Sequence, residues 1–117
     1  MTSHEKEGFV YTLDLLKAEI AQNNVDKGFT VPGADVNWSQ KIALMHDELS
    51  EAHDALRAGD PPSDHIHQFS GTEEEFADVI IRILDYASLA GLRIGEAILT
   101  KHAFNKTRPF MHGGKKF

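Results

Sequence analysis

Apolar residues recur along much of the chain at steps of three and four, the spacing of one face of an α-helix. The first stripe, between Glu5 and Asn24, predicts a helix; its members are Phe9, Leu13, Leu16 and Ile20. The second stripe predicts another helix, beginning at Trp38; its members are Trp38, Ile42, Met45, Leu49, Ala52 and Leu56. Asn37 or Ser39 can cap the start of this second helix.

Glycine and proline mark where these helices stop. The segment Asp26 to Asn37 contains two glycines and Pro32, which predicts a loop of about ten residues, long enough to carry function. The run Gly59-Asp60-Pro61-Pro62 ends the second helix because proline cannot continue one. A polar loop over Ser63 to Gly71 is expected to follow.

Two further helices are predicted beyond that loop. Thr72-Glu73-Glu74-Glu75 matches a capping box, and it precedes a third apolar stripe, consisting of Phe76, Val79, Ile80, Ile83, Leu84 and Ala87. This helix should end near Ala90, before Gly91. A shorter helix over Ile94 to Asn105 and an extended basic tail over Lys106 to Phe117 complete the prediction. The fold class is therefore all-α, an antiparallel bundle of about four helices plus a C-terminal tail.

Length and charge limit what such a bundle could do. The 117 residues suit a single domain spanning 1–117. Twelve Lys+Arg against eighteen Asp+Glu give a net charge of −6, which disfavours nucleic acid as a partner. The chain has no cysteine for a disulfide or a thiolate zinc site, no membrane-length apolar run, and a polar start. We therefore expect a cytoplasmic protein without a membrane partner.

Two pairs of acidic residues stand out because the same spacing occurs twice. Glu48 and Glu51 lie three apart on the second predicted helix, and Glu75 and Asp78 lie three apart on the third, so each pair projects from one helical face. If the helices are antiparallel, all four carboxylates can converge at the edge of the core. Oxygen ligands without Cys or a neighbouring His suit Mg²⁺, or Mn²⁺, better than zinc.

Other interpretations of these acids stay open. Glutamate pairs are common on solvated helix surfaces, Glu75 can be explained as a capping-box residue, and Asp78 can pair with Arg82 one turn later. A di-iron carboxylate bundle would need histidines at the positions of Glu51 and Asp78. The non-enzymatic alternative is a helical metal-binding or interaction bundle whose acids have no catalytic role.

Longer strings around these acids resemble the MazG-like all-α nucleoside triphosphate pyrophosphohydrolases. The resemblance covers about Lys27 to Lys115, in the family's order. The strings are His46-Asp47-Glu48-Leu49-Ser50-Glu51-Ala52, Glu75-Phe76-Ala77-Asp78-Val79-Ile80-Ile81-Arg82, Lys101-x-x-x-Asn105-Lys106-x-Arg108-Pro109 and His112-Gly113-Gly114-Lys115. Two acid pairs together with the C-terminal Lys/Asn/Arg string are more specific than a single E-x-x-E.

The resemblance implies a function and a set of site residues. It implies that a (deoxy)nucleoside triphosphate is hydrolysed to the monophosphate and pyrophosphate, in housecleaning of the nucleotide pool. It also implies Mg²⁺ held by the catalytic carboxylates Glu48, Glu51, Glu75 and Asp78, and a homodimer or homotetramer. The base preference, the phosphorus attacked and the carboxylate that acts as general base stay open.

Further residues are candidates for binding the substrate. Lys101, Asn105 and Arg108 advance by four and three, so they share a face and can clamp phosphate oxygens if the helix persists. Lys115 in the glycine-rich tail is a further candidate phosphate ligand. Trp38 can stack on a base at the mouth of a pocket, although it also fits the core stripe of its helix. Phe29, on the long loop, is the other stacking candidate.

Overall fold

The computed structural model describes residues 1–111, and within that range the chain forms four α-helices and no strand. Helix α1 spans Ser3–Asp26, α2 spans Trp38–Arg57, α3 spans Gly71–Ala90 and α4 spans Ile94–Lys106. Each helix overlaps the stretch that the apolar stripes predict, with ends that differ by one or two residues. The predicted all-α class is confirmed.

The start of α2 is the one that the sequence predicts. The Oδ1 atom of Asn37 accepts a hydrogen bond from the backbone N–H of Gln40 at 3.0 Å, so Asn37 rather than Ser39 is the cap. This bond satisfies one of the backbone donors that the first turn of a helix leaves without a partner. The cap also fixes where the loop before α2 ends.

The start of α3 differs from the prediction. The N-cap is Ser70, and its capping-box partner is Glu73, so the expected box from Thr72 to Glu75 is wrong. The backbone N–H of Thr72 is instead bonded to Oδ1 of Asp60 at 2.9 Å, which ties the first turn to the preceding loop. As a result, the Glu75 side chain has no capping role.

Helices α2 and α3 pack along their lengths in antiparallel order. Side chains near the start of α2 meet those near the end of α3, and the order reverses toward the α2–α3 connection. The pairs are Trp38 with Tyr86, Lys41 with Asp85, Glu48 with Arg82, and Ala55 with Gly71. This register brings the second turn of α3 to the middle of α2, where the acidic residues lie.

Helix α1 packs against α3 and α4. Gly95 at the start of α4 lies close to α1, since a Cβ added there would meet Leu13 Cδ2 at 3.4 Å and Val10 Cγ2 at 3.6 Å. The Lys17 ammonium group donates to the carbonyl of Leu92 at 3.1 Å, in the turn between α3 and α4. Helix α4 is thus held on α1.

The buried core of a single chain is small. Within residues 1–111, the apolar residues that reach full burial are Ala52, Leu84 and Ala87. Larger members of the α2 and α3 stripes stay between 46% and 63% exposed; they are Ile42, Leu49, Leu56, Phe76 and Ile80. None of the helices in this range is long and apolar enough to cross a membrane. Much of the apolar surface of α2 and α3 is therefore left uncovered.

Candidate functional site

The carboxylates of α2 and α3 meet in the middle of the α2–α3 pair. Oxygen atoms of Glu48, Glu51 and Glu75 all lie within 4.8 Å of one another. Asp78 belongs to a second trio, with Glu74 and Glu75, whose oxygen atoms also lie within 4.8 Å of one another. Glu75 is common to both trios, so the structure brings together the four acids that the spacing singled out and adds Glu74.

Glu75 has the most perturbed environment of these acids. Its Oε2 atom is buried and accepts no hydrogen bond from residues 1–111. Burial, followed by the neighbouring carboxylates of Glu48 and Glu51, raises the pKa of Glu75 to about 8. Burial and the charge of Glu48 also raise the pKa of Asp78. Without a cation, a proton on Glu75 would reduce the repulsion among these carboxylates.

Glu48 pairs with an arginine of α3. The Nε and one terminal guanidinium nitrogen of Arg82 both lie 3.0 Å from Glu48 Oε1. Hydrogen bonding to Glu75, followed by the contact with Arg82, lowers the pKa of Glu48. Arg82 therefore bonds across to α2, and not to Asp78 on its own helix as the alternative interpretation of these acids would have it. Asp78 keeps its carboxylate facing the cluster.

The donor set fits a hard divalent cation. All the converging ligand atoms are carboxylate oxygens, the type that Mg²⁺ and Mn²⁺ prefer. An unpartnered, buried Glu75 oxygen is costly unless a proton or a cation satisfies it. A bound cation would offset the mutual repulsion of Glu48, Glu51 and Glu75, which favours the ionised forms that bind it.

The Glu74 carboxylate contacts hydrogen-bonding groups of the loop before α3. Its carboxylate accepts hydrogen bonds from the buried Ser63 hydroxyl and lies 2.7 Å from Nδ1 of His65. These two contacts lower the pKa of Glu74, and the contact with Glu74 raises the pKa of His65. The loop before α3, which the sequence presents as simply polar, is thus fastened to the first turns of α3 beside the acids.

A cavity of about 640 Å³ opens next to the acids, between α2, α3 and the loop over 27–37. Its volume is in the range of small-molecule sites. Glu48 and Asp78 line it together with Arg82. Apolar side chains contribute much of the remaining wall, namely Phe29, Val31, Val36, Leu44, Ile81 and Leu89. A ligand in the cavity would therefore reach both the acidic cluster and an apolar surface.

The two aromatic stacking candidates have different positions. Phe29 lines the cavity from the loop and is 80% exposed, so its ring is available to a ligand. Trp38 does not line the cavity and packs edge-on against Tyr86, with ring centroids 4.9 Å apart. Trp38 therefore contributes to the packing of α2 on α3.

The predicted phosphate ligands Lys101, Asn105 and Arg108 do not line the cavity. Helix α4 ends at Lys106, so Arg108 lies beyond the helix and the expected helical face of Lys101, Asn105 and Arg108 is not formed. The charged groups of Lys101 and Arg108 instead lie over the ring of Phe104, 4.7 and 5.4 Å from its centroid. Lys115 lies outside the described residues.

Two cavity residues were missed by the sequence interpretation. The Asp85 carboxylate is 9% exposed, and its Oδ2 atom lies 3.1 Å from the ammonium group of Lys41. Both residues line the cavity. A signal was present, because Lys41 precedes Glu48 by seven residues and Asp85 follows Asp78 by seven, a spacing that keeps each pair on one helical face.

Taken together, a cluster of carboxylates that could hold a divalent cation borders a cavity that also contains a guanidinium group and apolar walls. Such a combination can bind an anion through a shared divalent cation and hold an attached apolar or aromatic group. Compared with protein-family models, curated proteins and solved structures, the chain matches none of them. Its function must therefore be inferred from its own residues.

Proposed function

We propose that the protein is a nucleoside triphosphate pyrophosphohydrolase that depends on Mg²⁺, with Mn²⁺ as a possible substitute. The reaction would convert a (deoxy)nucleoside triphosphate and water to the monophosphate and pyrophosphate, consistent with nucleotide-pool housecleaning. The observation that carries the proposal is that carboxylate oxygens of Glu48, Glu51 and Glu75 lie within 4.8 Å of one another beside a cavity of about 640 Å³. Glu75 Oε2 is buried and accepts no hydrogen bond from residues 1–111. The resemblance of the surrounding strings to MazG-like enzymes supports the same reaction.

The charge of the site explains why a metal is needed. A triphosphate and the cluster of Glu48, Glu51, Glu75 and Asp78 are both strongly negative and would repel each other. Mg²⁺ held by these carboxylates would neutralise phosphate charge and polarise the phosphoryl oxygens. The protein's own part is to fix the carboxylates on two packed helices and to position the triphosphate for attack by water.

Arg82 is placed to assist in this positioning. Its guanidinium group lines the cavity, is 39% exposed on its side chain and already contacts Glu48. Arginine presents several N–H groups in a planar arrangement that suits phosphate oxygens. We propose that Arg82 keeps Glu48 ionised and offers its remaining donors to the phosphates.

Lys101, Asn105, Arg108 and Lys115 stay proposed phosphate ligands on the strength of the resemblance. The first three do not line the cavity of their own chain. Their participation would therefore require either the C-terminal segment or a second copy of the chain to approach the acids. Self-association to a homodimer or homotetramer is proposed for an independent reason, the half-exposed apolar side chains of α2 and α3.

A panel of nucleoside triphosphates incubated with Mg²⁺ tests the proposed activity. The wild-type protein should hydrolyse at least one of them, and Glu51→Gln should abolish turnover while the fold is retained. Glu19→Gln is the matched control, because Glu19 is an exposed residue of α1. Mg²⁺ binding without turnover would indicate a non-enzymatic metal-binding bundle, and the absence of both would favour an interaction module.

A further inference from the structure

The pair formed by Asp85 and Lys41 lies in the cavity but away from the acids. Asp85 is two helical turns beyond Asp78 on α3, and Lys41 is two turns before Glu48 on α2, an axial displacement of about 10 Å. Because α2 and α3 are antiparallel, Asp85 and Lys41 are both displaced from the acids in the same direction along the helix pair. The cavity therefore has an acidic end and a second polar position further along the same groove.

One atom of this pair lacks a partner. Asp85 Oδ2 is bonded to the Lys41 ammonium group, whereas Asp85 Oδ1 is buried and accepts no hydrogen bond from residues 1–111. A buried carboxylate oxygen without a donor is costly, so it indicates a ligand or a water that supplies one. The Lys41 ammonium group keeps further N–H donors, and its side chain is 27% exposed.

The charge of the pair restricts the ligand group. Asp85 and Lys41 neutralise each other, so this position does not favour a cation or a phosphate as the acidic end does. Asp85 offers a hydrogen-bond acceptor and Lys41 offers a neighbouring donor. A neutral ligand edge that carries one donor beside one acceptor would complement this pair. The surrounding wall is apolar, formed by residues that include Leu44, Ile81 and Leu89, and so suits the faces of a flat ring.

We propose that the Asp85–Lys41 pair recognises the polar edge of the substrate's nucleobase. Asp85 Oδ1 accepts a hydrogen bond from a ring N–H or an exocyclic amino group, and Lys41 donates to the adjacent ring nitrogen or carbonyl. Phe29, on the loop that borders the cavity, covers a face of the ring. This assignment rests on the proposed function for the position of the triphosphate at the acids, and it makes the pair a determinant of base specificity.

Binding of uncleavable substrate analogues tests the assignment without relying on turnover. The probes are α,β-methylene analogues of dATP, dCTP, dGTP and dUTP with Mg²⁺, and inorganic tripolyphosphate as a probe without a base. Titration calorimetry should show that the wild type binds at least one analogue more tightly than tripolyphosphate. Asp85→Asn should weaken binding of that analogue about tenfold or more, the effect of losing a hydrogen bond to a charged group, with little change for tripolyphosphate.

Lys41→Met is the second variant, and Asp54→Asn is the matched control because Asp54 is exposed and does not line the cavity. The control should bind all probes as the wild type does. If Asp85→Asn does not fold, Lys41→Met is judged by the same criterion. The proposal is overturned if the folded variants keep the wild-type preference among bases, or if the wild type binds no analogue better than tripolyphosphate.

The failure of this proposal can be distinguished from the failure of the proposed function. Hydrolysis by the wild type, with a base preference that Asp85→Asn leaves unchanged, would refute the role of the pair and retain the enzyme. Base-selective binding that Asp85→Asn removes, in a protein that cleaves no triphosphate, would retain the base site and refute the hydrolase.

Discussion

Replacing Glu75 by glutamine should stabilise the metal-free protein, and the gain should increase with pH. The folded-state pKa of Glu75 is about 8, above the ordinary value of 4.5, so the folded protein binds this proton more tightly than the unfolded chain does. The stabilising effect of that proton is complete below about pH 4.5 and is lost as the pH rises through about 8. Glutamine keeps the side chain neutral throughout.

The size of the effect follows from the shift. Each pKa unit corresponds to about 1.4 kcal/mol, so a change from 4.5 to about 8 sets a ceiling of about 5 kcal/mol. Glu75 is partly exposed, and water screens the repulsion from Glu48 and Glu51, which reduces the expected gain to about 1–2 kcal/mol at pH 9. At pH 5, near the ordinary value of 4.5, loss of this proton from the unfolded chain contributes little free energy, so the gain should be small.

Urea unfolding at pH 5, 7 and 9 in the presence of EDTA measures this difference. Glu19→Gln serves as the control for loss of one exposed charge, and its effect should vary little with pH. The reasoning would be refuted if Glu75→Gln had the same effect at pH 5 and pH 9, or if it destabilised the protein at pH 9. Either result would mean that Glu75 is not held in a repulsive carboxylate cluster.

Further predictions concern the metal, a helix cap and the exposed apolar surface. Mg²⁺ at about 100 times its dissociation constant should stabilise the wild type by about 2.7 kcal/mol in thermal or urea unfolding, and Glu51→Gln should lose most of this gain; an equal gain in both proteins would argue against the site. Asn37→Ala should cost about 1 kcal/mol in urea unfolding because α2 loses its cap, whereas a neutral outcome would contradict the Asn37–Gln40 bond. Ile80→Glu should shift the sedimentation of an oligomer toward the 13.0 kDa chain, and a wild type that sediments only as that monomer would refute self-association.

The helices could be predicted because several independent signals agree on them. The apolar stripes, the Asn37 cap and the glycines after α2 and α3 all indicate the same boundaries. The start of α3 could not be chosen from the sequence, because Ser70-x-x-Glu73 and Thr72-x-x-Glu75 both match a capping box. The bond from the Thr72 N–H to Asp60 settles the choice, and it depends on how the loop folds.

The convergence of the acids was predictable for a similar reason, since spacing places each pair on one face and the 23 residues between Glu51 and Glu75 are enough for the chain to turn back antiparallel. The partner of Arg82 was not predictable, because it depends on the register between α2 and α3, which periodicity within one helix does not specify. The position of Lys101 likewise depends on the packing of α4 on α1. Asp85 was missed because its spacing places it on the same helical face as Asp78, but the cavity that it lines forms only when α3 packs against α2 and the loop over 27–37.

If the acidic cluster supports cleavage of a nucleoside triphosphate between its α- and β-phosphates, phosphorus NMR will show it. A triphosphate incubated with the wild-type protein and Mg²⁺ should give the signals of pyrophosphate and the nucleoside monophosphate together and in equal amounts. The same incubation with Glu51→Gln should leave the triphosphate intact. Orthophosphate as the sole inorganic product, or equal turnover by Glu51→Gln, would contradict it.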